Sequence, residues 1–223
     1  MTRMIRIPAL AILALALTWT AAQAETLKET FQKTYPLKAG GELEIHNKNG
    51  GITVEAWDRA EVQVVAMKQV KASGSEKARE AMKNLRIDVK PGAGSLSIET
   101  RYPKEGDGLF DWLTGDNINY NVNYKIKAPR QLVAELHSTN GGVRLVGTRG
   151  RANLETTNGG VSIEKVEGEI RMRSTNGGLT VVDASGSLDG LTTNGGIGVE
   201  LSEVAGDISL RTTNGGVKLR VPQ

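Results

Sequence analysis

The sequence predicts an all-β protein built as a parallel β-solenoid of roughly 18-residue coils, with a small helix-containing insertion or cap near its N-terminal half. Three observations predict it. The tetrapeptide Thr-Asn-Gly-Gly recurs at 139–142, 157–160, 175–178, 193–196 and 213–216, at spacings of 18, 18, 18 and 20 residues. Blocks written beneath one another agree in whole columns as well as in the tetrapeptide, the signature of stacked repeats. Within each block the apolar residues alternate, as in a strand with one buried face.

The first column reads Val143, Val161, Leu179, Ile197, Val217, and two residues on it reads Leu145, Ile163, Val181, Val199, Leu219. A mid-block glycine follows at Gly150, Gly168, Gly186 and Gly206 and divides each block into two short strands. The second strand has inward columns of its own, Ala152, Ile170, Leu188, Ile208 and then Leu154, Met172, Gly190, Leu210. A diverged copy lies near the N-terminus, where Leu43, Ile45 and Asn47 alternate up to Asn49-Gly50-Gly51 and Ile52 and Val54 restart the pattern. Leu132–Leu136 leads into the first strict tetrapeptide in the same way.

Two architectures accommodate such a pattern. An antiparallel meander is favoured by Asn-Gly, which supplies the positive φ of a tight hairpin turn. In a parallel solenoid, equivalent turns stack about 4.8 Å apart and identical asparagines hydrogen-bond in a ladder, so identity is itself stabilising. Near-identity of the turns favours the second, and predicts a ladder of Asn49, Asn140, Asn158, Asn176, Asn194 and Asn214. It also places Glu155 beside Arg173, avoiding a long like-charge column. Right-handed coiling is the default for parallel crossovers.

Residues 1–24 read as a signal peptide: Arg3 and Arg6, the apolar run Ala9–Leu17, and Ala22-Gln23-Ala24 as a cleavage site. Without them 26 basic and 25 acidic side chains remain, a balance that gives no electrostatic case for nucleic acid. There is no cysteine, hence no disulfide and no lipid-attachment site. The expectation is a chain exported to the periplasm or beyond, with no stable membrane span after cleavage.

Residues 25–223 are expected to form one domain: 43–70 a first coil, 71–130 an irregular insertion or cap, 131–223 the regular repeats. Ala78, Ala81, Met82 and Leu85 mark one face of a helix over Glu76–Leu85, with Ser75 as N-cap. Arg86–Val89 and Ser95–Tyr102 read as a hairpin around Pro91–Gly94. In the irregular stretch 103–119, Phe110, Trp112 and Leu113 form an apolar knot, read either as a loop folded over the core or as a candidate partner contact. Pro222, just beyond Val221, cannot donate to a further strand and blunts the last edge.

Chemistry is sparse. The two histidines, His46 and His137, each precede an Asn-Gly-Gly by three residues, and repeat columns account for them better than metal ligation. Calcium-binding rolls need acids in the turns, whereas every turn here carries neutral asparagine. Asp107, Asp111 and Asp116 lack the spacing of a calcium loop and read as solvated acids. No Gly-x-Ser-x-Gly elbow is present. Thr139, Thr157, Thr175, Thr193 and Thr213 give a single outward column, with Ser138, Thr156, Ser174, Thr192 and Thr212 pointing inward or into the turn.

The order of a leader, a strand pair with Asn-Gly-Gly-Ile, an irregular middle, Val122–Pro129 and then repeating Thr-Asn-Gly-Gly-Val resembles the bacterial putative-adhesin family of β-strand-repeat domains of unknown function. That resemblance implies an architecture and carries no site residues with it. The functional expectation is a non-enzymatic envelope protein without cofactor, binding an unidentified protein or cell-surface partner or acting as a scaffold. The alternative is a carbohydrate-binding or carbohydrate-active β-helix, which for catalysis needs carboxylates gathered across a groove.

Overall fold

The computed structural model describes residues 24–103 and 118–222. The leader up to Gln23 and the stretch containing Phe110, Trp112 and Leu113, together with Asp107, Asp111 and Asp116, lie outside the described residues. The described chain is all-β with one helix: β1 (Ala24–Pro36), β2 (Gly41–Asn49), β3 (Ile52–Trp57), β4 (Glu61–Ser73), α1 (Ser75–Asn84), β5 (Arg86–Pro91), β6 (Ser95–Arg101) and β7 (Asn119–Pro129) precede the strict repeats. Those follow as β8 (Leu132–Asn140), β9 (Val143–Val146), β10 (Arg149–Asn158), β11 (Val161–Glu164), β12 (Glu167–Asn176), β13 (Leu179–Asn194), β14 (Ile197–Glu203), β15 (Ile208–Asn214) and β16 (Val217–Arg220).

From β8 onward the chain passes alternately between two parallel ladders. One runs β6-β2-β8-β10-β12-β13-β15 and the other β7-β3-β9-β11-β13-β14-β16, with β13 contributing its two halves to both. Pairing is in register with the repeat: Leu154 lies between Leu136 and Met172, and Ile163 between Leu145 and Val181. The inward columns therefore stack into one apolar core, and Leu43, Ile45, Leu136, Leu145, Leu154, Ile163 and Met172 are fully buried. Burial of such columns is the main favourable term in a chain without disulfides. In the last layer Val217 and Leu219 hold core register but are about half exposed, at 48% and 47%.

The layers are not stacked in chain order. β2 and β3 lie between β6/β7 on one side and β8/β9 on the other, so the chain lays down an inner layer, leaves it, returns outside it and crosses back. Leu43 is accordingly flanked by Leu96 and Ala134.

Several expectations are corrected here. Parallel stacking does not extend over the whole of 25–223: β1, β4 and β7 pair antiparallel, as do β5 and β6. The reason is local, since Asp58–Ala60 is too short for the crossover a parallel return needs. The first coil thus ends at Trp57 rather than at residue 70. Nor is 71–130 irregular throughout, because β6 and β7 form a regular layer whose Leu96, Ile98 and Val122 are buried. The helix begins one residue early and its N-cap is Gly74, with no side-chain cap, in place of Ser75. It buries Ala78, Ala81 and Met82, as its periodicity requires, and packs against β4 and β1. Lys68 fastens it: Nζ donates to Leu85 O at 3.3 Å at the helix C-terminus and sits 2.7 Å from Glu29 Oε1 on β1. The two extra residues of the 20-residue repeat are absorbed between Glu203 and Ile208, since β13 pairs at an offset of 18 up to Ser185–Glu203 and at an offset of 20 from Leu188–Ile208.

Candidate functional site

The corner where the two ladders meet is built by Thr-Asn-Gly-Gly. Asn140 Nδ2 donates to Asn49 Oδ1 at 2.7 Å, and Asn158, Asn176, Asn194 and Asn214 each donate to the preceding asparagine at 2.8 Å. Beneath this ladder runs a second. Ser138, Thr156, Ser174, Thr192 and Thr212 donate to the carbonyls of Gly50, Gly141, Gly159, Gly177 and Gly195 at 2.8–3.0 Å, and Asn47 takes the equivalent place by donating to Val122 O at 2.8 Å.

The turn glycines are there for close approach rather than for hairpin φ. A Cβ on Gly141, Gly159, Gly177, Gly195 or Gly215 would lie 1.9–2.3 Å from the carbonyl oxygen of the neighbouring turn, while none of the five has positive φ. Asn-Gly, which as a hairpin signal favours a meander, here serves the close approach of stacked turns. Positive φ belongs to the mid-block Gly150, Gly168 and Gly186, which stack in register at the opposite bend.

The asparagine ladder is closed at its N-terminal end by a tyrosine cluster. Tyr102 OH donates to Asn47 Oδ1 at 2.7 Å and accepts from the Asn49 backbone N–H at 3.0 Å. Next to it Tyr124 OH shares a 2.6 Å hydrogen bond with Thr100 Oγ1. Burial pushes both phenols above the ordinary tyrosine range.

The outer face of the first ladder is charged and ordered by register. Arg151 faces Glu169, Glu155 faces Arg173 and Arg171 faces Asp189, so acids and bases alternate from strand to strand as parallel stacking demands. Hydrogen bonding from Arg173 holds the Asp189 carboxyl below its usual range.

Near β2 and β8 the pattern changes. His46 and His137 are register partners, stacked with ring centroids 4.8 Å apart and planes within 6°. His46 Nε2 is 2.8 Å from Glu44 Oε1, and a hydrogen bond to His46 is the main reason the Glu44 carboxyl is held low. His137 Nε2 lies 3.9 Å from Glu135 Oε2 and its Nδ1 3.5 Å from Glu155 Oε2. A recess of about 250 Å³ opens beside the rings, edged by Ser138, Thr139 and Thr157. Among the described residues no group of three or more His, Asp or Glu side chains could hold a metal ion as they stand.

Sequence reading placed both histidines in one column but looked for carboxylates only among their immediate neighbours. The available signal was Glu44-Ile45-His46 and Glu135-Leu136-His137, the same Glu-x-His tripeptide at the same distance from Asn-Gly-Gly, with period-two alternation setting acid and imidazole on one face. A shallow groove of about 390 Å³ runs along the second ladder, lined by the turn glycines with Thr53, Arg144, Ser162 and Thr180 and no carboxylate. Among the described residues no helix is long and apolar enough to cross a membrane.

A protein-family model described as Toastrack DUF4097 matches residues 25–223. No curated protein matches. Among solved structures, a "putative cell adhesion protein" from Clostridium sporogenes is 11% identical, with 87% of this chain and 100% of that one covered, at a TM-score of 0.43. A "putative adhesin" from Bacteroides fragilis is 11% identical, covering 86% of this chain and 97% of that one, at 0.34. Another from Parabacteroides distasonis is 12% identical, covering 86% and 96%, at 0.30.

Proposed function

The chain belongs to the Toastrack DUF4097 family, and on that premise we propose that it is an exported, non-enzymatic cell-envelope protein that uses its stacked outer face to bind a protein or cell-surface partner. The observation that carries this reading is the face itself. Strands β2, β8, β10, β12 and β13 present in-register rows of charged side chains beside an exposed threonine and asparagine corner. A surface that repeats every strand offers the same contact several times over, which suits multivalent attachment. The leader pattern of residues 1–24 supports export. Phe110, Trp112 and Leu113 remain a second candidate contact.

Fractionation of cells expressing the full chain tests export, with the cleaved form expected in the envelope or medium. Recovery of the protein only inside the cell, uncleaved, overturns that part. Pull-down from envelope fractions tests binding: a specific partner is expected to be lost when Thr157, Thr175 and Thr193 are changed together to Lys, or when Phe110 and Trp112 are changed to Ser. Recovery of nothing specific by the wild-type protein overturns it. The carbohydrate-binding reading keeps one supporting observation, the hydroxyl-lined groove of the second ladder. A glycan array on which the protein is retained, and from which Thr180→Lys removes it, would favour that reading instead.

A further inference from the structure

We propose that the paired Glu44-x-His46 and Glu135-x-His137 motifs form a binding site for one divalent transition-metal ion of the zinc or copper class.

Charge gives the first argument. Where Asp88 stands beside Glu99 in register, Arg101 bridges the two, but Glu44 stands directly beside Glu135 with no arginine or lysine in register with either. Two carboxylates so placed repel one another, and the arrangement is destabilising unless a cation joins them. Their other neighbours in register are Ser97 and Asn153, neither of which carries charge. Asn153 Nδ2 donates to Glu135 Oε2 at 2.8 Å, which steadies that carboxylate without neutralising it. The nearby Glu99 and Glu155 already have arginines, Arg101 at 3.2 Å and Arg173 as register partner. No fixed cation therefore stands in register with either carboxylate, and the groups that face them are the two imidazoles.

Geometry gives the second. Both Nε2 atoms lie on the side of their own glutamate, at 2.8 and 3.9 Å. Parallel register thus brings two nitrogens and two carboxylates to one patch, a donor set that suits borderline ions, whereas Ca²⁺ and Mg²⁺ take oxygen alone. A tetrahedral ion with metal–nitrogen bonds of about 2.0–2.1 Å needs the two nitrogens about 3.3 Å apart. With ring centroids 4.8 Å apart and planes within 6°, the two rings must tilt toward one another for both Nε2 lone pairs to meet one ion. The side chains of His46 and His137 are 47% and 28% exposed, leaving the rings room to tilt toward one another. Closure asks nothing of the backbone, whose register fixes the spacing.

The experiment uses the purified, untagged protein and measures Zn²⁺ by calorimetry and Cu²⁺ by electron paramagnetic resonance. Saturable binding of one ion per chain is expected, unaffected by millimolar Ca²⁺, with nitrogen hyperfine structure from two imidazoles. His46→Ala or His137→Ala should weaken it by more than about tenfold, and the double variant should abolish it. Glu44→Gln with Glu135→Gln should weaken Zn²⁺ binding while circular dichroism stays native, which separates loss of a ligand from loss of the fold. Absence of saturable binding, a spectrum with one nitrogen or none, or undiminished affinity in the double histidine variant overturns the proposal.

Discussion

In β8 to β16 each residue stands beside its counterpart one repeat away: asparagine on asparagine, glycine on glycine, leucine on methionine. In the flank of β1, β4 and α1 the neighbours are unlike, with Phe31 beside Ala66, Leu27 beside Val70 and Thr30 beside Met67. Both regions are built on backbone ladders, but they constrain sequence differently. Where identical turns stack, a side chain added to one turn strikes the next, so the requirement propagates along the column. Antiparallel strands ask only for alternation, and the flank has drifted accordingly.

The widest separation between the regions is expected at glycine. Gly177→Ala places a Cβ 1.9 Å from Gly159 O in the middle of the array and should cost about 3 kcal/mol or more in urea unfolding. Gly40→Ala, in a flank turn with φ of +80° and nothing within 4 Å, should cost only about 1 kcal/mol. Equal losses at the two sites would remove the distinction drawn here. Thr192→Val comes next. It keeps the shape of a fully buried side chain but strips Gly177 O of its 2.8 Å donor, for an expected loss of about 2 kcal/mol by the same measurement.

Smaller effects sharpen the comparison within the array. Asn158→Ala removes two ladder bonds at an exposed corner and should cost about 1 kcal/mol, whereas Asn214→Ala removes one and should cost about half as much. A cost independent of position would show that the ladder is decoration on a corner held by the buried hydroxyls. The least effect at neutral pH is expected where array and flank join, at Tyr124 on β7. Its phenol is raised by burial, so the unfolded chain ionises first as pH rises; the stabilisation is complete below about pH 10 and declines above it. Denaturant midpoints followed from pH 8 to 11 should fall in the wild type and fall less in Tyr124→Phe.

The array was legible in the sequence because parallel register writes three-dimensional neighbours into one alignment column. Val143 and Val161 can be paired on paper, and so can Glu155 and Arg173. The asparagine ladder and the inward hydroxyls follow from the same columns, and the family resemblance from the order of segments around them. The flank was not legible, because a strand such as β4 alternates identically whether its partner runs parallel or antiparallel. What decides is the three-residue link at Asp58–Ala60 and the insertion of β7 between β3 and β4, which no local pattern records. The histidine pair was half legible. Repetition placed the rings together, but their carboxylates were sought beside them in sequence instead of two residues back on the same strand face.

The buried position of β2 and β3 bears on how the molecule assembles. Within the array each new layer closes over 18 residues, so stacking can advance as the chain emerges. Asn49 must instead wait for Asn140, 91 residues later, and the longer closure adds about 1.4 kcal/mol of chain entropy to that step. β2 and β3 can pair with β6 and β7 on one side, but their other edges have to stay open until β8 and β9 arrive. If the chain is exported as proposed above, this sets the interval in which a chaperone would be needed. That interval closes when β8 docks.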